Sequence, residues 1–258
     1  ALWWNEHRTE IDNVRWLWEN TLWLRIDLSH HELASIAPDL KKLASYLELP
    51  FALHIYDWEE RSSHLSPMVR PTPHMMEDVA DLRQHGIRSV PYTTARIWQT
   101  PDLRGEDCNY TKVALPAAVI EEDGKPAMEY YGLPCCVLCP ATSVYQHWEY
   151  EMTVSLAAMG FDGIYADQIG AARPRLCWNP RHGHKIADDT AWFINGQYPL
   201  YRKIRDYWRQ TAPEMILTTE DNAEHCVDLF HGLLNWRWMN DGQVPLFTEV
   251  YAGKTQFV

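Results

Sequence analysis

The stretch that decides the fold is GFDGIYADQIG, residues 160–170. It contains a turn glycine, a short apolar run, an acid followed by an amide, and a closing glycine. An apolar run of this length before a turn signal is typical of a buried parallel strand. Asp167 is therefore predicted at the C-terminal end of that strand, which in a barrel of parallel strands belongs to the functional face. The alternative is an Asp that caps the next helix or begins a turn.

Outward from this stretch, strands and amphipathic helices alternate along the chain. This alternation predicts an α/β fold, and the length of 258 residues fits one (β/α)8 TIM-type barrel. No eighth strand follows the seventh, so the sequence either lacks it or the count is off by one. The predicted strands are 21–28, 51–58, 87–94, a fourth that follows Gly160 and ends at Asp167, and then 215–220, 233–236 and 244–251.

The alternation is interrupted after the third predicted strand. A run around the Asp123-Gly124 turn predicts a β-hairpin, which we interpret as an insertion at about 97–140. Long loops on this face of a barrel usually carry function or cover the cleft. We predict one barrel domain over residues 1–258 that contains this insertion.

Composition excludes several classes of function. The net charge of −12 argues against nucleic acid and against anionic membranes as partners, because both need a basic face. No run of eighteen apolar residues exists, so no membrane span is predicted. The first residues show no signal peptide and no initiator Met, which leaves the compartment unknown. The 13 Trp and 13 Tyr either fill the core or line a cleft for sugar rings.

Two carboxylates at the ends of neighbouring strands form the predicted catalytic pair. Asp167 and Glu220 end the fourth and fifth strands, and such a pair is what glycoside cleavage requires. We assign Asp167 as the ionised nucleophile and Glu220 as the general acid and then the base for water. The alternative is that Glu220 forms a structural ion pair with an Arg such as Arg96.

Other side chains near predicted strand ends are candidates for substrate contacts, although packing is at least as common for each type. Glu249, read as the end of strand seven, is also an alternative nucleophile, and Glu224 is an alternative to Glu220. The full set of predicted substrate-binding residues is Asp57, Trp58, Tyr92, Arg96, Gln168, His184, Asn222, Glu224, Trp236, Trp238 and Glu249.

The six cysteines are interpreted as buried or loop thiols. Cys136 and Cys139 have metal-like spacing, but no second pair follows at the distance of a zinc site. Cys177, His182 and His184 form a second, loose cluster. We therefore assign no metal and no other cofactor. A phosphate-binding glycine loop, a GxSxG elbow and an HExxH helix are all absent from the sequence.

Several motifs carry a resemblance to a known family: FDGIYADQIGAARPRLC at 161–177, HGH at 182–184, LTTE at 217–220 with Asn222, Ala223 and Glu224, PAT at 140–142, and GQVPLF at 242–247. From about residue 21 onward the chain resembles an uncharacterised bacterial TIM-barrel family, a domain of unknown function grouped with glycoside hydrolases. The resemblance implies a barrel hydrolase of bacterial polysaccharide or glycan breakdown, with a carbohydrate as its substrate. Full-length relatives usually carry further β-rich domains.

A weaker similarity links the chain to amylase-like and endo-α-N-acetylgalactosaminidase-like barrels. It implies a strand-four Asp nucleophile and a strand-five Glu acid/base, which Asp167 and Glu220 match. The leading hypothesis is thus a retaining glycoside hydrolase. A metal-dependent barrel hydrolase and a non-catalytic glycan-binding barrel remain as alternatives.

Overall fold

The architecture is a curled parallel sheet with helices packed against it. A computed structural model describes residues 14–60, 66–67, 70–101, 105–235 and 241–258. Seven parallel strands lie in the order β1-β2-β3-β7-β8-β9-β10, and the sheet curls into a TIM-like half-barrel. These strands are β1 Trp23–Asp27, β2 Phe51–Tyr56, β3 Ile87–Thr94, β7 Gly163–Asp167, β8 Ile216–Glu220, β9 Gly232–Leu234 and β10 Gln256–Phe257.

α-Helices connect most of the consecutive strands of the large sheet. Their apolar faces join the sheet in the main core, with Leu33, Val79, Leu156 and Ile204 each buried from a different helix. The α-helices are α1 Arg15–Glu19, α2 Leu33–Leu47, α3 Met75–Gln84, α4 Leu115–Ala117, α5 Ser143–Ala158, α6 Tyr198–Thr211 and α7 Leu246–Tyr251. Among the described residues, no helix has the length and apolar character that crossing a membrane requires.

A second, smaller sheet is formed by the predicted insertion. Its strands are β4 Ile97–Gln99, β5 Met128–Tyr130 and β6 Pro134–Val137, paired antiparallel in the order β4-β6-β5. The Asp123-Gly124 turn lies beside the antiparallel bridge between Ile120 and Pro126. This sheet has its own apolar cluster, which includes Ile97, Val119, Val137 and Trp192.

The prediction of an α/β TIM-type barrel with a hairpin insertion after strand three is confirmed. One strand assignment is wrong. The run 244–251 contains helix α7, and the seventh strand of the sheet is the two-residue β10. The sixth strand is Gly232–Leu234, slightly earlier than predicted. Whether residues 1–258 form a single domain stays a prediction.

Candidate functional site

Asp167 and Glu220 are the last residues of the adjacent parallel strands β7 and β8. Because parallel strands end on the same edge, their side chains meet, and the two carboxyl groups are in hydrogen-bonding contact. Both residues are largely buried, with 9% and 7% of their surface exposed. Each therefore keeps a small accessible area at this rim of the sheet.

Tyrosine hydroxyls hold the Asp167 carboxyl group from two sides. Tyr92 donates to Oδ2 at 2.7 Å, and Tyr165 donates to Oδ1 at 3.4 Å. Thr94 donates to the Tyr92 hydroxyl at 3.3 Å, so Tyr92 acts as both acceptor and donor. Tyr92 lies on β3 and pairs in register with Tyr165, which is two residues before Asp167 on the same face of β7.

The tyrosines belong to a stack of aromatic rings across three strands. Tyr56 stacks on Tyr92 with 4.4 Å between ring centroids, and His54 stacks on Tyr165 at 4.8 Å. Burial raises the pKa of Tyr56 to about 12 and raises the pKa values of Tyr92 and Tyr165 further. Burial also lowers the pKa of His54 to about 3. At neutral pH the tyrosines are therefore protonated donors, and His54 adds no charge.

Burial raises the pKa of Asp167, and hydrogen bonds from Tyr92, Glu220 and the Gln168 backbone oppose this increase. Two carboxyl groups in direct contact share a proton, because two adjacent negative charges repel each other. A hydrogen bond from Glu220 that lowers the pKa of Asp167 has its proton on Glu220, and the tyrosine donors also favour the ionised form of Asp167.

Gly170 allows the loop after β7 to lie against the end of β8. A Cβ at this position would lie 2.6 Å from the backbone oxygen of Glu220, which is closer than any side chain tolerates. The Gly170 N–H donates to the Thr219 hydroxyl at 3.2 Å, which fixes this close approach. The last glycine of the stretch that decides the fold therefore helps position Glu220.

Arg96 joins the carboxylate rim to the small sheet. Its Nε donates to Oε1 of Gln168 at 2.9 Å, and its two Nη atoms form a bidentate ion pair with Glu129 on β5. Glu129 also accepts from Arg175 at 2.8 Å. Burial alone would raise the pKa of Glu129, but hydrogen bonds from the two arginines outweigh it and lower the pKa to about 2. The ion-pair partner that the structure shows for Arg96 is thus Glu129, and the pairing of Glu220 with an Arg stays a prediction.

An open cleft of about 630 Å³ lies over this junction. Arg96 and Glu129 form its inner part, and Tyr130, Tyr131 and Arg173 lie at its exposed edge. Asp167 and Glu220 do not line this cleft, but Arg96 connects it to Gln168, the neighbour of Asp167. Exposed aromatic rings beside hydrogen-bonding charges are the surface that sugar recognition uses.

Two of the predicted contact residues, Trp58 and Asp57, are buried. Trp58 is 1% exposed, donates to the backbone oxygen of Tyr92 at 2.7 Å and packs edge-on against Phe161. Its ring therefore packs in the core, and the prediction of a sugar contact is wrong for this conformation. Asp57 is also buried and follows β2 with a left-handed backbone conformation, φ +54°.

The remaining predicted contacts are spread more widely. Asn222 donates to Asn235 at 3.1 Å, which joins the loops after β8 and β9. Glu224 is exposed in the short 3₁₀ helix Glu224–Cys226, and Glu249 is exposed on α7, so its assignment to a strand end is wrong. Trp236 and Trp238 lie outside the described residues.

His184 lies in the loop after β7, where it joins His182, Cys177 and Cys139. The ligand atoms of these four residues all lie within 4.8 Å of one another. Cys136, the other cysteine of the CxxC spacing, does not belong to this group, because it packs in the main core while Cys139 packs in the second cluster.

Sequence reasoning missed Tyr165, Glu129 and Arg175. Tyr165 had a detectable signal, since a residue two positions before a strand-end acid shares its face. Glu129 and Arg175 gave no such signal, because their partners are distant along the chain. Glu129 lies 33 residues after Arg96, and Arg175 lies 46 residues after Glu129.

The fold defines this chain as a TIM-like α/β barrel of the kind found in glycosidases. It belongs to the family described as a domain of unknown function (DUF6259), whose model matches residues 1–257.

Two curated relatives are named "Putative glycoside hydrolase" and "Putative glycoside hydrolase 22789". One, from Bacteroides thetaiotaomicron, is 25% identical over 98% of this chain and 38% of its own length. The other, from Monosiga brevicollis, is 22% identical over 92% of this chain and 22% of its own length. The chain thus spans well under half of the curated relatives it matches.

Solved structures show the same fold at low sequence identity. The α-N-acetylgalactosaminidase NagBb from Bifidobacterium bifidum, in complex with GalNAc, superposes with a TM-score of 0.68 at 13% identity, covering 90% of this chain and 40% of NagBb. The α-galactosidase TtGalA from Thermus thermophilus gives a TM-score of 0.58 at 13% identity, covering 97% of this chain and 47% of TtGalA.

Proposed function

We propose that the chain is the barrel of a retaining glycoside hydrolase in which Asp167 is the nucleophile and Glu220 is the acid/base. The observation that carries the proposal is the hydrogen-bonding contact between the two carboxyl groups at adjacent strand ends. Similarity to relatives named as glycoside hydrolases supports the class of reaction.

The contact also supports retention of configuration. Inverting enzymes separate their carboxyl groups by about 6.5–9.5 Å to admit a water molecule, and retaining enzymes by about 5–5.5 Å. A pair that is hydrogen-bonded in the free protein is nearer to the retaining separation than to the inverting one. A bound glycosidic oxygen replaces Asp167 as the acceptor of the Glu220 proton, and the two carboxyl groups then separate around the sugar.

The proposed reaction follows from this protonation state. The Asp167 carboxylate attacks the anomeric carbon while Glu220 protonates the departing glycosidic oxygen, which breaks the glycosidic bond and leaves a glycosyl ester on Asp167. Glu220, now ionised, takes a proton from water as the water attacks the same carbon. This second step releases the sugar with its original configuration and restores both carboxyl groups.

We further propose that the 630 Å³ cleft receives the part of the glycan beyond the scissile bond. Tyr130 and Tyr131 offer exposed rings for stacking, and Arg173 offers hydrogen-bond donors for hydroxyl groups. The first substrates to test are α-galactosides and α-N-acetylgalactosaminides, because the structural neighbours NagBb and TtGalA carry those activities in their names.

The test compares Asp167→Asn and Glu220→Gln with two exposed carboxyl controls, Asp39→Asn on α2 and Glu77→Gln on α3. Loss of Glu220 should lower kcat/KM by about 10²–10⁴-fold on natural glycosides. The Glu220→Gln substitution should lower kcat/KM much less on an aryl glycoside, because that leaving group needs no proton. Loss of Asp167 should be severe on both substrates, and the controls should match the parent protein.

Proton NMR of the first product should show the anomer of the substrate. Activity that survives both substitutions would refute the assignment. Glycan binding without hydrolysis would instead support the alternative of a binding barrel. Initial formation of the opposite anomer would refute retention.

A further inference from the structure

The strongest unassigned feature lies in the second apolar cluster, between the small sheet and the loop after β7. Cys139 follows β6, and Cys177, His182 and His184 belong to that loop. The Cys139 Sγ atom is 3.3 Å from His184 Nε2, and the Cys177 Sγ atom is 3.3 Å from His182 Nδ1. The two sulfur atoms also contact each other.

The second nitrogen of each histidine is held by a backbone carbonyl. His182 Nε2 lies 3.0 Å from the Pro116 oxygen, and His184 Nδ1 lies 2.7 Å from the Lys185 oxygen. A carbonyl only accepts, so the Lys185 oxygen selects the His184 tautomer with a proton on Nδ1. The lone pair of His184 Nε2 is then directed at the Cys139 sulfur. At His182 Nε2 the Pro116 oxygen calls for a proton and the Asn179 Nδ2 group, at 2.8 Å, calls for a lone pair, so the tautomer argument applies to His184 alone.

We propose that Cys139, Cys177, His182 and His184 bind one structural zinc ion. Two thiolates and two imidazoles are a common ligand set of structural Zn²⁺. With Zn–S near 2.3 Å and Zn–N near 2.0–2.1 Å, a tetrahedral site separates sulfur from nitrogen by about 3.5 Å. The observed sulfur–nitrogen distances of 3.3 Å therefore leave the cluster already close to the required size.

The carbonyl-bound histidines add to this assignment. Zinc-binding histidines usually donate their other N–H to a carbonyl or carboxylate, which fixes the ring and its tautomer. Gly183 lies between the two histidines with φ +77°, a left-handed backbone conformation that glycine adopts without strain. Both rings can thus reach the same point from a very short segment.

Four protein ligands close the coordination sphere, so the site is structural and offers no open position for a reacting water. Three of the ligands are buried, and His184 is partly buried. This arrangement does not favour the alternative of a metal-dependent hydrolase, because such a metal needs a free position. The ion instead links Cys139 at the end of the small sheet to the loop after β7.

Such a link would stabilise the second cluster and the loop after β7. The second cluster is small, and small cores commonly need a metal or a disulfide to hold them together. The loop also carries Arg175, which bonds Glu129 beside the cleft. Zinc would therefore order the segment that lies between the small sheet and the carboxylate rim.

A disulfide between Cys139 and Cys177 is the main rival, since the sulfurs are in contact. A disulfide would leave both histidines without an ion to bind. It also does not explain why two histidines flank Gly183. The two possibilities differ in their thiol count. In denaturant with a chelator, a zinc site yields all six thiols of the chain, whereas a disulfide yields four of the six without reductant.

The experiment measures zinc in protein purified without a metal-affinity tag. We expect one zinc per chain, and less than a tenth of that in Cys177→Ser and His184→Ala. The matched controls are Cys108→Ser, which changes a thiol outside both clusters, and His147→Ala on the exposed face of α5. Both controls should keep one zinc per chain.

A measurement on the unaltered sequence covers the case in which the variants fail to fold. Exchange of zinc for Co²⁺ should give thiolate-to-cobalt charge-transfer bands and the intense visible bands of tetrahedral cobalt. Protein with no stoichiometric zinc that also fails to take up Zn²⁺ or Co²⁺ under reducing conditions would overturn the proposal, as would four thiols. None of these readouts involves turnover, so they are independent of the proposed function.

Discussion

At the scale of the residue, Tyr92 makes the shorter of the two tyrosine hydrogen bonds to Asp167, 2.7 Å against 3.4 Å for Tyr165. A hydrogen bond donated to a carboxylate stabilises its ionised form and lowers its pKa. In Tyr92→Phe the pKa of Asp167 should therefore rise, and the acid limb of kcat/KM should move to higher pH by about one unit. Tyr165→Phe should move the limb in the same direction by less.

This prediction is checked by the pH profile of kcat/KM for the parent and both variants. Turnover should be lost as the pH falls through the raised pKa of Asp167, because the nucleophile is then protonated. A limb that moves to lower pH in Tyr92→Phe, or a larger movement in Tyr165→Phe, would contradict the role of these hydroxyls.

The same residues mark how far the sequence alone could lead. Adjacent parallel strands end on one edge of a sheet, and this rule predicts from the sequence that strand-end residues lie close together. The structure places Asp167, Glu220, Tyr92, Arg96 and Gln168 near one another in this way. The rule failed for Trp58, since a residue past a strand end can turn back into the core. The complete Cys/His cluster could not be predicted, because Cys139 lies far along the chain from Cys177, His182 and His184.

At the scale of the element, helices α5 and α6 share a buried acid. Glu149 of α5 accepts from Tyr201 of α6 at 3.0 Å and from Thr153 at 3.3 Å. Burial raises its pKa from 4.5 to about 7, despite these two bonds. The folded state thus holds a proton that the unfolded chain releases near pH 4.5. The free energy of unfolding should therefore fall by about 3 kcal/mol as the pH rises from 4.5 to 7.

Glu149→Gln removes the charge and keeps an oxygen for the Tyr201 hydroxyl. We expect this variant to lose that pH dependence and to unfold at a higher temperature than the parent at pH 8. The exposed neighbour Glu151→Gln should change neither quantity. Thermal unfolding at pH 5 and pH 8 measures both, and a Glu149→Gln protein that is less stable than the parent at pH 8 would disprove this account.

Element prediction succeeded where the apolar pattern was long and failed where it was short. Helix α5 begins at Ser143 after an N-cap Thr142, as its sequence predicts. The run 244–251 looked like a strand because it is rich in apolar and β-branched residues. However, Phe247 and Tyr251 are four positions apart and stack at 4.6 Å, which is a helical contact. The two-residue strand β10 is too short to show any periodicity.

At the scale of the whole molecule, Glu129 connects two sheets and a loop. It joins β5 of the small sheet to Arg96 at the rim of the large sheet and to Arg175 in the loop after β7. A buried arginine that loses its counter-charge is costly, which makes this acid more important than an exposed ion pair. The small sheet should therefore depend on Glu129 for its position over the cleft.

Glu129→Gln tests this dependence against Glu121→Gln, which removes only the exposed 3.5 Å contact with Arg175. Because the pKa of Glu129 is lowered to about 2, its contribution to stability is fully present above about pH 4.5 and is lost as the pH falls towards 2. We expect Glu129→Gln to lower the unfolding temperature at pH 7, and to lower it much less at pH 3. Hydrogen exchange in residues 128–137 should also become faster at pH 7, and KM for an extended glycan should rise more than kcat falls. Equal effects in the two variants would mean that the cleft is held by the packing of the second cluster and not by the Glu129 ion pairs.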